Sequence, residues 1–244
     1  MRGIILGWAS AMMLAFASGV GVEYELDGKA YEGYFVSPSK DAPLVLLVHD
    51  WDGLGEYEKK RAKMLYDLGY ATFAVDMFGK DVVADTVEKR RALTGELYSD
   101  REKMRALMNG GLDAAKNAGA NVQNAVALGY CFGGTVILDF ARSGAPLKAF
   151  APFHGGLKTP ENQSVSHIKG EVAVFHGTAD ASISMDEFAQ FAKELESAGI
   201  THEMHTYSGA PHAFSVFGSP RYHEEADRKS WARFTQYLGE IFNK

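Results

Sequence analysis

One cysteine in 244 residues rules out an intramolecular disulfide and any zinc site built from several cysteines. The chain has no lysine- or arginine-dense run and a formal net charge of -6, so no nucleic acid partner is expected. No internal repeat, low-complexity segment or linker divides it. What remains is ordinary for a soluble globular protein: 46% hydrophobic and 23% charged residues, enough for one domain with a sizeable core.

Charge is also missing from the start. After Met1 and Arg2 an uncharged run extends to Val22. A basic first turn, a short apolar stretch and small residues around Ala15-Phe16-Ala17 form a signal-peptide pattern, with cleavage after Ala17 or Gly19. A buried first element and a retained anchor are the other readings of the same run. On the first reading, residues 1–19 are removed and residues 20–244 form a single domain. The mature protein is then periplasmic or secreted, monomeric and without stable membrane association. Without a signal it is cytoplasmic.

The rest alternates between two periodicities. Val22–Leu26 and Tyr31–Val36 read as strands joined by Asp27-Gly28, a favoured hairpin turn. Leu44–Val48, Ala71–Val75, Asn124–Gly129, Leu147–Phe153, Glu171–Gly177 and Thr201–Gly209 read as further strands. Between them lie helical patterns: Gly55–Leu68, a charged stretch over Asp81–Asp100, a run from Arg101, Gly133–Arg142, a segment opened by Ser184 and Glu187 at capping-box spacing, and a closing helix bearing Trp231, Phe234, Leu238 and Ile241. Alternating strands and helices predict one α/β domain, with a mostly parallel central sheet, helices on both faces and an N-terminal β-hairpin.

The single cysteine stands in Gly129-Tyr130-Cys131-Phe132-Gly133, between a predicted strand and a predicted helix. This is a nucleophile-elbow pattern with sulfur in place of the usual serine oxygen. Side chains at Gly129 and Gly133 are expected to collide with neighbouring backbone in so sharp a turn. The helix N-terminus favours thiolate. A small buried core residue is the competing reading of a lone cysteine. Two later strands decide between them. Asp180 follows one and His212 follows the next, giving the order nucleophile, acid, histidine. In that set His212 draws the proton from Cys131, and Asp180 orients the imidazole. The oxyanion donors expected are the backbone N–H groups of Phe132 and of Trp51, in the loop after an early strand.

With "GYCFGG", "HGTAD", "GAPHAF" and the "HDWDG" loop, the sequence resembles the dienelactone hydrolase family of α/β-hydrolases from about Tyr24 to the last helix. The resemblance implies hydrolysis of a small ester or lactone through a thioester on Cys131, without a cofactor or metal. It implies that Asp50 stands where the family has a thiol-activating glutamate. It also implies that Lys80 replaces one of two carboxylate-clamping arginines, while Val216 replaces the other. An incomplete clamp favours a less charged ester, lactone or thioester over dienelactone itself. Tyr130, Trp51, Phe132, Phe153 and Phe214 are the aromatic candidates for a pocket wall. The alternatives are a catalytically inactive small-molecule binding protein on the same fold and a redox role for the thiol.

Overall fold

The computed structural model describes residues 18–244. The signal-peptide reading rests on residues outside that range. Asp27 and Gly28 both take positive φ, 50° and 75°, as a two-residue hairpin turn demands. They join β1 (Val20–Leu26) to β2 (Lys29–Val36), with Leu26 paired to Lys29. β2 lies antiparallel to β4 (Ala71–Val75). The other contacts are all parallel, through β3 (Pro43–Val48), β5 (Asn121–Tyr130), β6 (Ala149–Phe153), β7 (Glu171–Gly177) and β8 (His202–Tyr207). The sheet has eight strands in the order β1-β2-β4-β3-β5-β6-β7-β8.

Side-chain alternation along the strands splits the core into two layers. Leu44, Leu46 and Val48 of β3 face one layer, together with Leu97 of α2 (Val87–Ser99), Met104 and Met108 of α3 (Arg101–Asn117), Ile137 of α4 (Phe132–Arg142) and Phe191 of α5 (Met185–Ser197). Val45 and Leu47 face the other, with Leu65 of α1 (Glu56–Asp67) and Phe234, Leu238 and Ile241 of α6 (Glu224–Phe242). Each large apolar side chain buried this way contributes roughly 1.5–3 kcal/mol. The stripe expected on α6 is buried except for Trp231, which is only partly covered.

Helix ends follow local chemistry. Ser184 Oγ accepts from Glu187 N–H at 3.2 Å while Glu187 Oε2 accepts from Ser184 N–H at 3.0 Å. The charged stretch is helical only from Val87. Thr86 caps α2 by accepting from Lys89 N–H, so residues 81–85 form a loop before it.

Strand order sets where a site can form. From β3 the chain passes to β4 on one side and later to β5 on the other. Such a reversal opens a crevice beyond the carboxyl ends of the strands. The segments leaving β3, β5, β7 and β8 all meet there.

Candidate active site

β5 ends at Tyr130 and α4 begins at Phe132, so the whole turn is one residue, Cys131. Its φ of 49° and ψ of -108° are strained for a residue with a Cβ. Two backbone hydrogen bonds hold it: Cys131 N–H to Phe153 C=O at 3.0 Å, and Thr135 N–H to Cys131 C=O at 3.2 Å. The glycines do what the sequence pattern required. A Cβ on Gly129 strikes the Gly133 carbonyl, and one on Gly133 strikes the carbonyl oxygens of Val48 and His49. Gly134 meets Gly155 backbone to backbone, where a Cβ at Gly134 lies 2.8 Å from the Gly155 Cα.

Cys131, His212 and Asp180 form one hydrogen-bonded row. His212 Nε2 is 3.0 Å from Cys131 Sγ, and His212 Nδ1 is 2.8 Å from Asp180 Oδ2. Asp180 Oδ1 accepts from Ser182 N–H at 2.8 Å and Ile183 N–H at 2.9 Å. Burial raises the Asp180 pKa, but the His212 bond and charge and these two N–H groups outweigh it and hold the carboxyl below its ordinary value. An ionised Asp180 only accepts, so His212 donates to it through Nδ1–H. With the proton on Nδ1, Nε2 presents its lone pair to the sulfur.

The thiol itself is held protonated. Burial raises its pKa first, and the Asp50 charge and hydrogen bond raise it further; the Phe132 N–H and Arg221 act the other way without prevailing. The helix N-terminus was expected to favour thiolate, but desolvation and a facing carboxylate win. Asp50 acts on the thiol although it is one methylene shorter than glutamate. Burial pushes its own carboxyl up to about 6. Its Oδ1 accepts from Trp51 N–H at 2.5 Å, so this expected oxyanion donor is occupied in the resting site.

The loop bearing Asp50 and Trp51 is pinned from beneath. Buried Glu58 of α1 accepts from Gly55 N–H at 2.9 Å and from Asp50 N–H at 3.4 Å. His49 accepts from Met77 N–H at Nε2 and pairs with the Asp50 carbonyl through Nδ1 at 2.6 Å. Sequence patterns gave Glu58 no role, because its partners are loop backbone groups.

A cavity of about 300 Å³ opens on this row. Trp51 and Asp50 line it as expected. So do Tyr98, Thr135, Ile183 and Arg221, none of which any motif marks. Arg221 carries no ion pair among the described residues.

Five expected pocket residues lie elsewhere. Lys80 lines a separate hollow and pairs with Glu23 and, at 3.8 Å, Glu32. The β1–β2 hairpin brings both glutamates to it. Tyr130 is the last strand residue, so alternation sends its ring to the α1/α6 layer, against Tyr57 and Phe153. Phe153 and Phe214 are buried in that same layer, and Phe132 in the opposite one.

The model of the dienelactone hydrolase family matches residues 31–242. The chain belongs to the dienelactone hydrolase family. Similar proteins include protein usf of Aquifex pyrophilus, 29% identical over 79% of this chain and 85% of that one. Another, from Aquifex aeolicus, carries the provisional name carboxymethylenebutenolidase and is 27% identical over 79% of this chain and 85% of its own. Among solved structures, a dienelactone hydrolase-like promiscuous phosphotriesterase from metagenomic libraries superposes with a TM-score of 0.84. It is 28% identical over 91% of this chain and 98% of that one.

Proposed function

We propose that this dienelactone hydrolase family member cleaves small esters or lactones through a thioester on Cys131, with His212 as general base and Asp180 orienting it. The observation that carries the reading is the Sγ–Nε2–Nδ1–Oδ2 row, 3.0 Å and 2.8 Å, at the mouth of a cavity. A substrate carbonyl enters over the thiol. The thiol proton passes to His212 Nε2 as Sγ bonds to the carbonyl carbon, and Asp180 stabilises the imidazolium. The oxyanion takes the Phe132 N–H and, once the Asp50 carboxylate turns away, the Trp51 N–H. Collapse expels the alcohol with the proton from His212. Water, deprotonated by His212, then attacks the thioester carbon; the C–S bond breaks as His212 returns the proton to Cys131 Sγ, and the acid is released.

The cavity walls favour a compact acyl group. Trp51 and Ile183 supply apolar surface, and Arg221 supplies a cation at the rim with no ion-pair partner of its own among the described residues. Lys80 takes no part in this site.

The test is intact-mass analysis of the purified protein with a panel of activated esters, lactones and thioesters. The expected result is an acyl adduct on Cys131 that turns over in the native chain and accumulates in His212→Ala. No adduct and no turnover across the panel would overturn the reading in favour of a binding scaffold. Export remains part of the proposal, supported by the Met1–Val22 pattern. N-terminal sequencing of protein recovered from cell fractions checks it, with Ser18 or Val20 first if a signal is removed and Met1 intact if not.

A further inference from the structure

Behind His212 lies a buried polar chain that the reaction steps leave unused. His154 Nε2 is 2.9 Å from Ser215 Oγ, and Ser215 Oγ is 2.9 Å from the Tyr57 hydroxyl. That hydroxyl accepts from Arg61 Nε at 3.2 Å. Arg61 also donates to the Ser215 carbonyl at 2.9 Å and pairs with Asp227, which accepts from the Tyr222 hydroxyl at 3.1 Å. His154, Ser215 and Arg61 are each 1% exposed or less.

Proton counting gives the chain a direction. A hydroxyl has one proton to donate. Tyr57, already accepting from Arg61, donates to Ser215, and Ser215 then donates to His154 Nε2. The proton of neutral His154 sits on Nδ1, which is left without a partner. The opposite direction turns the Tyr57 proton away from Ser215 and leaves the Nδ1 lone pair without a donor. His154 holds this pose with a φ of 39°, a strained value of the kind that clusters at functional sites.

The chain ends against the base. The His154 ring meets the His212 ring edge-on at 5.4 Å, and Ser215 lies three residues beyond His212 on the same loop. Ala213, between them, has a φ of 62°, so this loop is itself held in strain. We propose that His154 is a positioning residue for His212: as terminal acceptor of the chain Arg61–Tyr57–Ser215–His154, it fixes the His212 loop and keeps a neutral imidazole against the base. The groups around it agree. Burial first, and then the His212 and Arg61 charges, push its pKa well below the ordinary value, against Asp180 acting the other way; Tyr130 also packs on the ring.

The inference rests on the Cys131 hydrolase reading, and its test separates the two. ¹⁵N NMR of histidine-labelled resting protein needs no turnover. It should show His154 protonated at Nδ1 and bare at Nε2; a proton on Nε2 would overturn the chain's direction. Kinetics on 4-nitrophenyl acetate then compares His154→Gln, which keeps an acceptor for Ser215, with His154→Phe, which keeps only bulk. His154→Phe should lose about 10- to 100-fold in kcat, the scale of a small misplacement of a reacting group. His154→Gln should recover most of that. A mere space-filling role gives the reverse order and sinks the proposal. Should His154→Phe fail to fold, Tyr57→Phe cuts the same chain away from the site. It should lower kcat about 2- to 10-fold, as for one hydrogen bond, and shift the His154 Nε2 resonance. Neither change in Tyr57→Phe would also sink it.

Discussion

The two loops that bring Cys131 and His212 together are held by opposite means. The cysteine turn is fixed by what is absent: Gly129, Gly133 and Gly134 let backbone touch backbone, and the Cys131 side chain caps no helix N–H. The His212 loop is fixed by what is present, a buried serine, arginine and histidine with a half-buried tyrosine in hydrogen-bonded sequence. The contrast teaches that one catalytic geometry can be set by sterics on one side and by polar contacts on the other. The two sides should also fail differently when perturbed.

The largest effect is expected where both loops meet. Asp180→Asn keeps the shape but leaves the His212 tautomer unset, so kcat should fall about 10²- to 10⁴-fold with little change in thermal stability. Steady-state kinetics beside a melting curve checks this. An equal loss of stability would mean that Asp180 holds the fold rather than the imidazole.

Next comes the polar side. Arg61→Met leaves Asp227 buried without its partner and should cost about 3–5 kcal/mol in urea unfolding. Adding Asp227→Leu should restore most of that stability, since apolar replacements of buried ion pairs are often neutral. It should not restore kcat, because Tyr57 stays without its donor. The steric side offers no such rescue. Gly133→Ala should cost about 1–3 kcal/mol, because its Cβ meets carbonyl oxygens that cannot repack. A fully stable Gly133→Ala would erase the contrast between the loops.

The smallest effect concerns the resting thiol. Asp50 raises the thiol pKa both by its charge and by its hydrogen bond. Asp50→Asn should therefore lower that pKa and speed iodoacetamide alkylation severalfold near pH 8. Because Asp50 itself titrates at about 6, the native thiol should lose this protection only below that pH, where too little thiolate forms to react. An unchanged alkylation profile in Asp50→Asn would show that burial alone holds the proton.

The same contrast explains what could be read from the sequence. Steric solutions leave local marks. The glycine frame around Cys131 and the Asp27-Gly28 hairpin are short patterns, and each stands where the pattern put it. Asp180 and His212 were legible for a related reason: each stands in the loop after a strand, in a known order. Polar contacts leave such a mark only when they are local, as the Ser184/Glu187 cap is. Arg61 and Ser215 are joined across 154 positions, and neither carries a motif. Lys80 was misplaced on the same ground, since its partners Glu23 and Glu32 reach it only because β2 pairs with β4. Arg221 enters the cavity from a loop with no periodicity to announce it.

The cavity draws its chemistry and its walls from different side chains. Cys131 stands in the turn after β5, and Asp180 and His212 in the loops after β7 and β8; Tyr98 comes from the end of α2, Ile183 from the Asp180 loop and Arg221 from the segment before α6. Random change at those wall positions can alter which acyl group is accepted without disturbing the reacting row. A mutant library confined to Tyr98, Ile183 and Arg221 is therefore the economical route to new selectivity, and descent within such a scaffold can diversify diet while its chemistry stands still.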